Sequence, residues 1–424
     1  MSEQPQPEKE RRSKDTAQLR WETKPRRAPN PRDIEFQTAE VVISNPTIAT
    51  GQLGLASLFD SAGDPTTQNR LIWGDCLLAC QALLAQGYEA RVDLIYIDPP
   101  FKSNEDYSHG VRINARETVT KVPSMLERLA YRDMWVGGID SYLDMLYPRL
   151  QLMRRLLAPH GSLYLHIGTD VSAYVRVLLD EIFGRDRFES EIVWKRTSAH
   201  TTANRYGPVH DVIFFYSRSD AKVWQPQEQA YSEEYLKAKY SNVDADGRPF
   251  RVSDITGAGV RSGETGKPWR GFDPNTLGRH WTRGPEELEK MDAAGLIYWP
   301  KNGGWPGVKR HLQGGLPLQD IWTDISPVNS QAKEDTGFDT QKPEELLKRI
   351  IETSSRPGDL VADFFLGSGT TAVVAEKLGR RWIGADFGKT GIQVSRSRLV
   401  EAQAKPFVLQ NLGNYQREMI LPDW

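Results

Sequence analysis

The chain has 424 residues, of which 39% are hydrophobic and 26% charged, and its formal net charge is −2. This length allows two or three domains with ample core, the composition is ordinary for a soluble globular protein, and the near-neutral balance argues against a generally cationic nucleic-acid binder. The first forty residues are too polar for a signal peptide, and no apolar run approaches the ~18 residues of a membrane span, so a cytoplasmic protein is expected.

Residues 1–45 read as a basic arm, disordered or loosely docked. Charge and Pro dominate it, and 1–32 hold nine Lys/Arg against five Asp/Glu. From Asn69 the pattern changes. "RLIWGD" is a short strand, and "CLLACQALLAQG" is a helix stopped by Gly87. Cys76 and Cys80 lie one turn apart in that helix and read as packed core thiols. The seven histidines form no HExxH and no Cys/His cluster, so no metal is expected. "RVDLIYID" is a second strand. The amphipathic helix "SYLDMLYPRLQLMRRLLAPHG" and the strand "SLYLHIG" follow. The helix "SAYVRVLLDEIFG" and the strands "SEIVWKR" and "HDVIFFYSRS" come next. Alternation of this kind predicts an α/β fold, a mostly parallel sheet with helices on both faces.

The alternation breaks down from about 218 to 335. That segment is rich in Gly, Pro, Trp and Arg, with one clear helix, "GPEELEKMDAAG". It reads as an inserted small domain. Its stretch 248–283 holds seven Lys/Arg against three Asp/Glu, a pattern that fits phosphate contact and a solvated polar face equally well. The helix "KPEELLKRIIETSS", strand "DLVADFF", loop "LGSG", helix "TTAVVAEKLG", strand "RWIGAD" and helix "GIQVSRSRLVEAQ" then resume the alternation.

Two stretches carry chemistry. In "DLVADFFLGSGTTAVVAEKLGRRWIGADF" a strand ends at Asp363, a Gly-x-Gly loop (Gly367, Gly369) follows, and a helix opens at Thr370. Such loops let backbone N–H groups and a helix N-terminus approach a ligand closely. The next strand ends at Asp386, where an acid commonly holds ribose hydroxyls. A Gly-x-Gly alone is better read as a plain strand–helix turn; the flanking acids Asp363 and Asp386 favour a nucleoside-containing ligand. In "DLIYIDPPF" a buried strand ends in Asp98. Pro99 and Pro100 remove N–H donors and stiffen the turn. The Asp98 carboxylate and Pro99 carbonyl are then fixed acceptors suited to an amino group, and Phe101 offers a face for a planar base. A rigid, capped strand end with a core Phe is the plain alternative.

"DPPF" at 98–101 and "DFFLGSGTT" at 363–371 resemble the catalytic and cofactor motifs of the S-adenosylmethionine-dependent DNA amino-methyltransferases, which modify adenine N6 or cytosine N4. With the glycine motif last, after a large insert, the order resembles the permuted beta group, including restriction–modification enzymes. "LIWGDCL" looks like that group's first motif, with Asp75 at a position that contacts the cofactor adenine. "DTQKPEELLKRII", with Lys342, looks like the segment that closes over the methionine end. "VHDVIFFYSRS" resembles the strand beside the target base, and "HWTRGPEELEKMDAAGLIYWPKNGGWPGVKRHL" resembles part of a recognition domain. The resemblance covers roughly 65–405. Phe364 departs from it, standing where proline is usual.

The resemblance implies a Rossmann-like methyltransferase sheet with an inserted target-recognition domain: a catalytic half at 46–217, the insert at 218–335 and a cofactor half at 336–424. It implies S-adenosylmethionine as cofactor, held by Asp75, Lys342, Asp363, Phe365, Gly367, Ser368, Gly369, Thr370, Thr371 and Asp386. Asp98, Pro99, Pro100 and Phe101 are the implied catalytic set, acting on a base flipped from double-stranded DNA. Trp269, Trp281, Trp299 and Trp305 of the insert could serve DNA contacts or that domain's own core. Dimerisation is common among such enzymes, and with no nuclease motif here any cleavage would need a restriction endonuclease chain. The Asp-Pro-Pro opening leans to adenine N6. Cytosine N4, a catalytically silent DNA-recognition subunit, glutamine methylation and an NAD-type oxidoreductase are the alternatives.

Overall fold

A computed structural model describes residues 17–44, 68–100, 138–197, 206–312, 314–329, 332, 334–338 and 340–412, with backbone alone over 110–114 and 117–120. Ten strands pair into one sheet: β1 (Gln37–Val42), β2 (Asn69–Trp73), β3 (Val92–Ile97), β4 (Leu157–Gly168), β5 (Phe188–Lys195), β6 (His210–Ser217), β7 (Ile321–Trp322), β8 (Leu360–Asp363), β9 (Arg381–Asp386) and β10 (Phe407–Asn411). Their order is β1-β10-β2-β9-β8-β3-β4-β6-β5-β7. The run β10-β2-β9-β8-β3-β4 is parallel throughout. Antiparallel pairs flank it, β1 on β10 and β6 between β4 and β5. The mostly parallel α/β sheet expected from the alternation is therefore present.

Six helices cover the sheet: α1 (Cys76–Ala85), α2 (Ile139–Leu156), α3 (Ser172–Phe183), α4 (Glu344–Ser354), α5 (Thr370–Lys377) and α6 (Lys389–Glu401). Buried residues of α1, α2 and α3, such as Leu83, Leu150 and Leu179, share one core with Ile95 and Ile97 of β3. Those of α4, α5 and α6, such as Ile350, Val373 and Leu399, share the other with Leu94 and Tyr96 of the same strand. A strand buried on both faces is apolar at nearly every position, which is why β3 reads as an apolar run broken only by Asp93. Both cysteines are buried in α1. Among the described residues no helix is long and apolar enough to cross a membrane.

The arm departs from expectation over 17–44, while residues 1–16 lie outside the described residues. Ile34 and Phe36 are buried in the first core. Trp21 Nε1 donates to Asp144 Oδ1 at 2.7 Å, and the Lys24 ammonium pairs with Glu181 at 2.6 Å beneath the Trp21 and Tyr147 rings. A few apolar residues spaced through a polar segment are enough to fix it when each one finds a partner. Their spacing follows no helix or strand period, so the pattern does not disclose them.

The chain divides into two compact units, 226–318 and the remainder. The smaller unit contains a four-stranded sheet of Asn242–Val243, Pro249–Asp254, Gly307–His311 and Ile297–Tyr298. Its core holds Ile255, Trp269, Trp281, Leu288, Ile297 and Val308, with Trp305 packed against it. Trp299 is 36% exposed and leans on Trp269 at 5.4 Å. The tryptophans therefore serve mainly as this unit's own core.

Leu150 is fully buried in α2. Leu150→Ala should lower unfolding free energy by about 2–5 kcal/mol, measured by denaturant titration; a loss below about 1 kcal/mol would place α2 outside the cooperative core.

Candidate active site

Because β2, β9, β8 and β3 are parallel neighbours, their carboxyl ends share one edge. Each delivers an acid there: Asp75, Asp386, Asp363 and Asp98, in sheet order. From β8 the chain crosses through α5 to β9, and from β3 through α2 to β4, in opposite directions and over opposite faces. The gap between β8 and β3 is thus a topological switch point, where open α/β sheets bind ligands.

Asp98 stands one residue beyond β3. Its Oδ2 accepts from the Lys342 ammonium, and the two side chains are only 14% and 11% exposed. Its Oδ1 is buried with no hydrogen-bond partner among the described residues. Pro99 is buried and Pro100 half-buried; Phe101 lies outside the described residues. Lys342, expected on the cofactor, is thus placed on the catalytic-motif carboxylate. A knitted segment holds it there. Gln341 Oε1 accepts from Thr336 N at 3.0 Å and Thr336 Oγ1 at 2.6 Å, while Gln341 Nε2 donates to the Glu334 carbonyl at 2.5 Å. The Glu334 carboxylate in turn accepts from Glu344 N at the start of α4.

The glycine loop is anchored from both sides. Asp363 Oδ1 accepts from Phe365 N at 3.0 Å, and Oδ2 from Thr371 Oγ1 at 2.6 Å. Asp386 accepts from Gly367 N at 2.7 Å and Gly388 N at 2.6 Å. Gly369 has φ 82°, and a Cβ there would lie 2.8 Å from Ser395 Cα, so only glycine fits. Arg398 of α6 donates to the Ser368 carbonyl at 3.0 Å and Thr370 Oγ1 at 2.9 Å. The hydroxyls of Ser368, Thr370 and Thr371 are buried and engaged within the protein. Phe365 is half-buried, and Phe364, in the usual place of proline, fills the first core. Asp75 caps α1 by accepting from Leu77 N at 2.8 Å and Leu78 N at 3.2 Å, and pairs with Arg149 at 2.6 Å.

The edge is strongly acidic. Burial pushes the Asp363 carboxyl up to about 7. The hydrogen bonds from Thr371 and Phe365 oppose that rise, and the charges of Asp98 and Asp386 add to it. Beside it, Tyr96 Oη and His166 Nδ1 are 2.9 Å apart, and His166 Nε2 and Asp211 Oδ2 3.1 Å apart, all three residues buried. Burial alone would raise the Asp211 carboxyl, but the His166 hydrogen bond and charge, with Arg196 and Lys342, hold it below its usual range.

Sequence reasoning missed Arg149, Arg398 and the Tyr96–His166–Asp211 chain. Arg398 left a signal: it continues the buried Val394–Ser395 stripe of α6, where the helical period calls for a core residue. The buried chain left none, since its members lie on three strands.

A carboxyl raised to about 7 keeps its proton in the fold, whereas the unfolded group releases it near pH ~4. Stability therefore declines as pH rises between those values and levels off above. A carboxylic-acid infrared band titrating near pH 7 is expected, absent from Asp363→Asn; complete loss of the band by about pH 5 would mean a solvated carboxyl.

A family profile described as DNA methylase matches residues 92–396. The type II methyltransferase M.EcaI of Enterobacter cloacae is 34% identical over 340 residues, covering 80% of this chain and 70% of that one. The StyLTI Mod subunit of a type III restriction–modification enzyme of Salmonella typhimurium is 27% identical over 73% of this chain, which spans half of its length. The DNA adenine methyltransferase YhdJ of Escherichia coli is 25% identical over 78% of this chain and 82% of its own. With Asp98, Asp363, Asp386 and the glycine loop gathered at one sheet edge inside the matched span, the chain belongs to the DNA methylase family.

Proposed function

We propose that the protein methylates adenine N6 in double-stranded DNA, using S-adenosylmethionine. The observation that carries this reading is the buried Oδ1 of Asp98, which has no hydrogen-bond partner among the described residues and is held at the switch point while Lys342 occupies the other oxygen. A buried acceptor without a donor is costly, and an exocyclic amino group supplies one.

The residues fit the cofactor. Asp363 lies near enough to Asp98 and Asp386 for their charges to add to the rise that burial imposes on its carboxyl, and such a gathering of acids suits a ligand carrying positive charge. Asp386 ends its strand where an acid commonly holds ribose hydroxyls. Gly367, Gly369, Phe365 and Asp386 would hold it directly, while Asp75, Ser368, Thr370 and Thr371 shape the cradle through their internal bonds. Bound there, S-adenosylmethionine supplies an electrophilic methyl group.

The protein's part is electrostatic. Asp98 Oδ1 and the Pro99 carbonyl accept the amino hydrogens, localise the nitrogen lone pair, and stabilise the positive charge that develops on it. The prolines place no competing N–H beside them. The target base must leave the duplex, at a few kcal/mol; stacking on Phe101 would offset about 1–3 kcal/mol of that. Adenine is favoured over cytosine by the Asp-Pro-Pro opening and by the adenine named for YhdJ. Residues 218–335 would read the DNA sequence. A homodimer and a separate restriction endonuclease chain belong to the same reading.

Methyl transfer from labelled S-adenosylmethionine to unmethylated duplex DNA should place label in N6-methyladenine on nucleoside analysis. Label in N4-methylcytosine would change the base and keep the mechanism, and no label on any DNA would overturn the reading. Asp98→Asn should lower kcat by about 10²–10³ while calorimetry finds cofactor affinity unchanged; wild-type turnover in that variant would remove Asp98 from the chemistry.

A further inference from the structure

The basic stretch of the insert is largely neutralised by its own unit. Arg248 pairs with Asp246, Lys267 with Glu264, Arg270 with Glu289 and Asp292, Arg279 with Asp254, and Arg283 with Glu287. These side chains have carboxylates already and are poorly placed to take up phosphates. Two arginines differ. Arg251 on Pro249–Asp254 and Arg310 on Gly307–His311 are direct cross-strand partners. Both are exposed, and neither has a carboxylate partner among the described residues.

Directly opposed residues of an antiparallel pair project from the same face with Cβ atoms about 4.5–5.5 Å apart, and like charges there are destabilising. Two acids stand at this sheet, and both hold other partners: Asp254 pairs with Arg279. Asp244 holds Lys309 and His311, each at 2.9 Å, and those residues alternate with Arg310 and so project from the opposite face. Lys239, Arg261 and Lys301 are also unpaired among the described residues, but they stand on a helix end, a loop and a turn rather than side by side. A like-charged pair kept together on an exposed sheet is relieved by an anion between the two forks, and guanidinium forks match phosphate oxygens in bidentate fashion.

We infer that Arg251 and Arg310 form a backbone-phosphate clamp of the insert, holding the substrate duplex without reading its bases. This rests on the proposed DNA methyl transfer. Phosphate contacts position a protein on DNA and carry no sequence information directly. The pair therefore contributes to affinity and its salt dependence and leaves the choice of site unchanged.

The test is fluorescence anisotropy of a labelled duplex over a salt series, using the full chain and Arg251→Ala, Arg310→Ala and the double variant. Each single substitution should reduce the slope of log affinity against log salt by about 1, the double by about 2, with on the order of tenfold weaker binding per arginine at 0.1 M salt. Arg248→Ala and Arg283→Ala, which remove exposed but internally paired arginines, should leave the slope at its wild-type value. The ratio of affinities for methylatable and scrambled duplexes should not move. A double variant with the wild-type slope, while the wild-type enzyme methylates DNA, overturns the clamp alone. Loss of binding to an acidic peptide with DNA binding intact would also overturn it, assigning the pair to a protein partner. A wild-type chain that neither binds nor methylates DNA defeats the proposed function, and the clamp with it.

Discussion

The parallel pairing of β8 with β3 is the contact on which the site depends. It is short, with Val361 opposite Leu94 and Ala362 opposite Ile95, yet it joins strands from distant parts of the chain and brings Asp98 and Asp363 to one edge. Its register is locked at the opposite end of the strands. The buried Asp93 accepts from Leu360 N at 2.7 Å through one oxygen and contacts His160 Nε2 at 2.7 Å through the other. A slip of one residue would turn every side chain of β3 to the wrong face and leave Asp93 buried without partners. The acid that interrupts the apolar run "VDLIYI" thus fixes the alignment of two strands, and the acid that ends it faces the ligand edge.

Most of this framework was legible because it rests on local signals. Strands buried on both faces are unbroken apolar runs, and helices show their period. Strand ends at a switch point carry the acids. What could not be read depends on partners remote in sequence. β1 exists as a strand largely because it covers β10, with Val42 opposite Phe407, and β10 because it lies between β1 and β2; neither segment is apolar enough to announce itself. Residues 17–44 were misjudged for the same reason. At the site, residue types singled out strand ends that the fold brings to one edge, but not who holds whom: Lys342 reaches Asp98, and Arg398 braces the loop from a helix near the end of the chain.

The smaller unit shows the limit of reading charge as function. Its lysines and arginines looked like a basic surface when counted along the chain, and in space most of them face acids from the same unit. The tryptophans behaved as composition suggests for large rings in a small domain, with Trp281 fully buried and Trp269 edge-on to it at 5.8 Å. Composition identifies which residues are available to a surface. Pairing decides which of them remain available.

The antiparallel pairing of β1 with β10 sets Gln37 opposite Asn411, so the sheet's first strand begins where its last one ends. A ring closed across that point would keep every strand in place. Opening the ring at another surface loop would give the same sheet from a gene that starts elsewhere. The order in which the two signature loops are translated could then differ without moving either loop, while their closeness in space is a physical requirement.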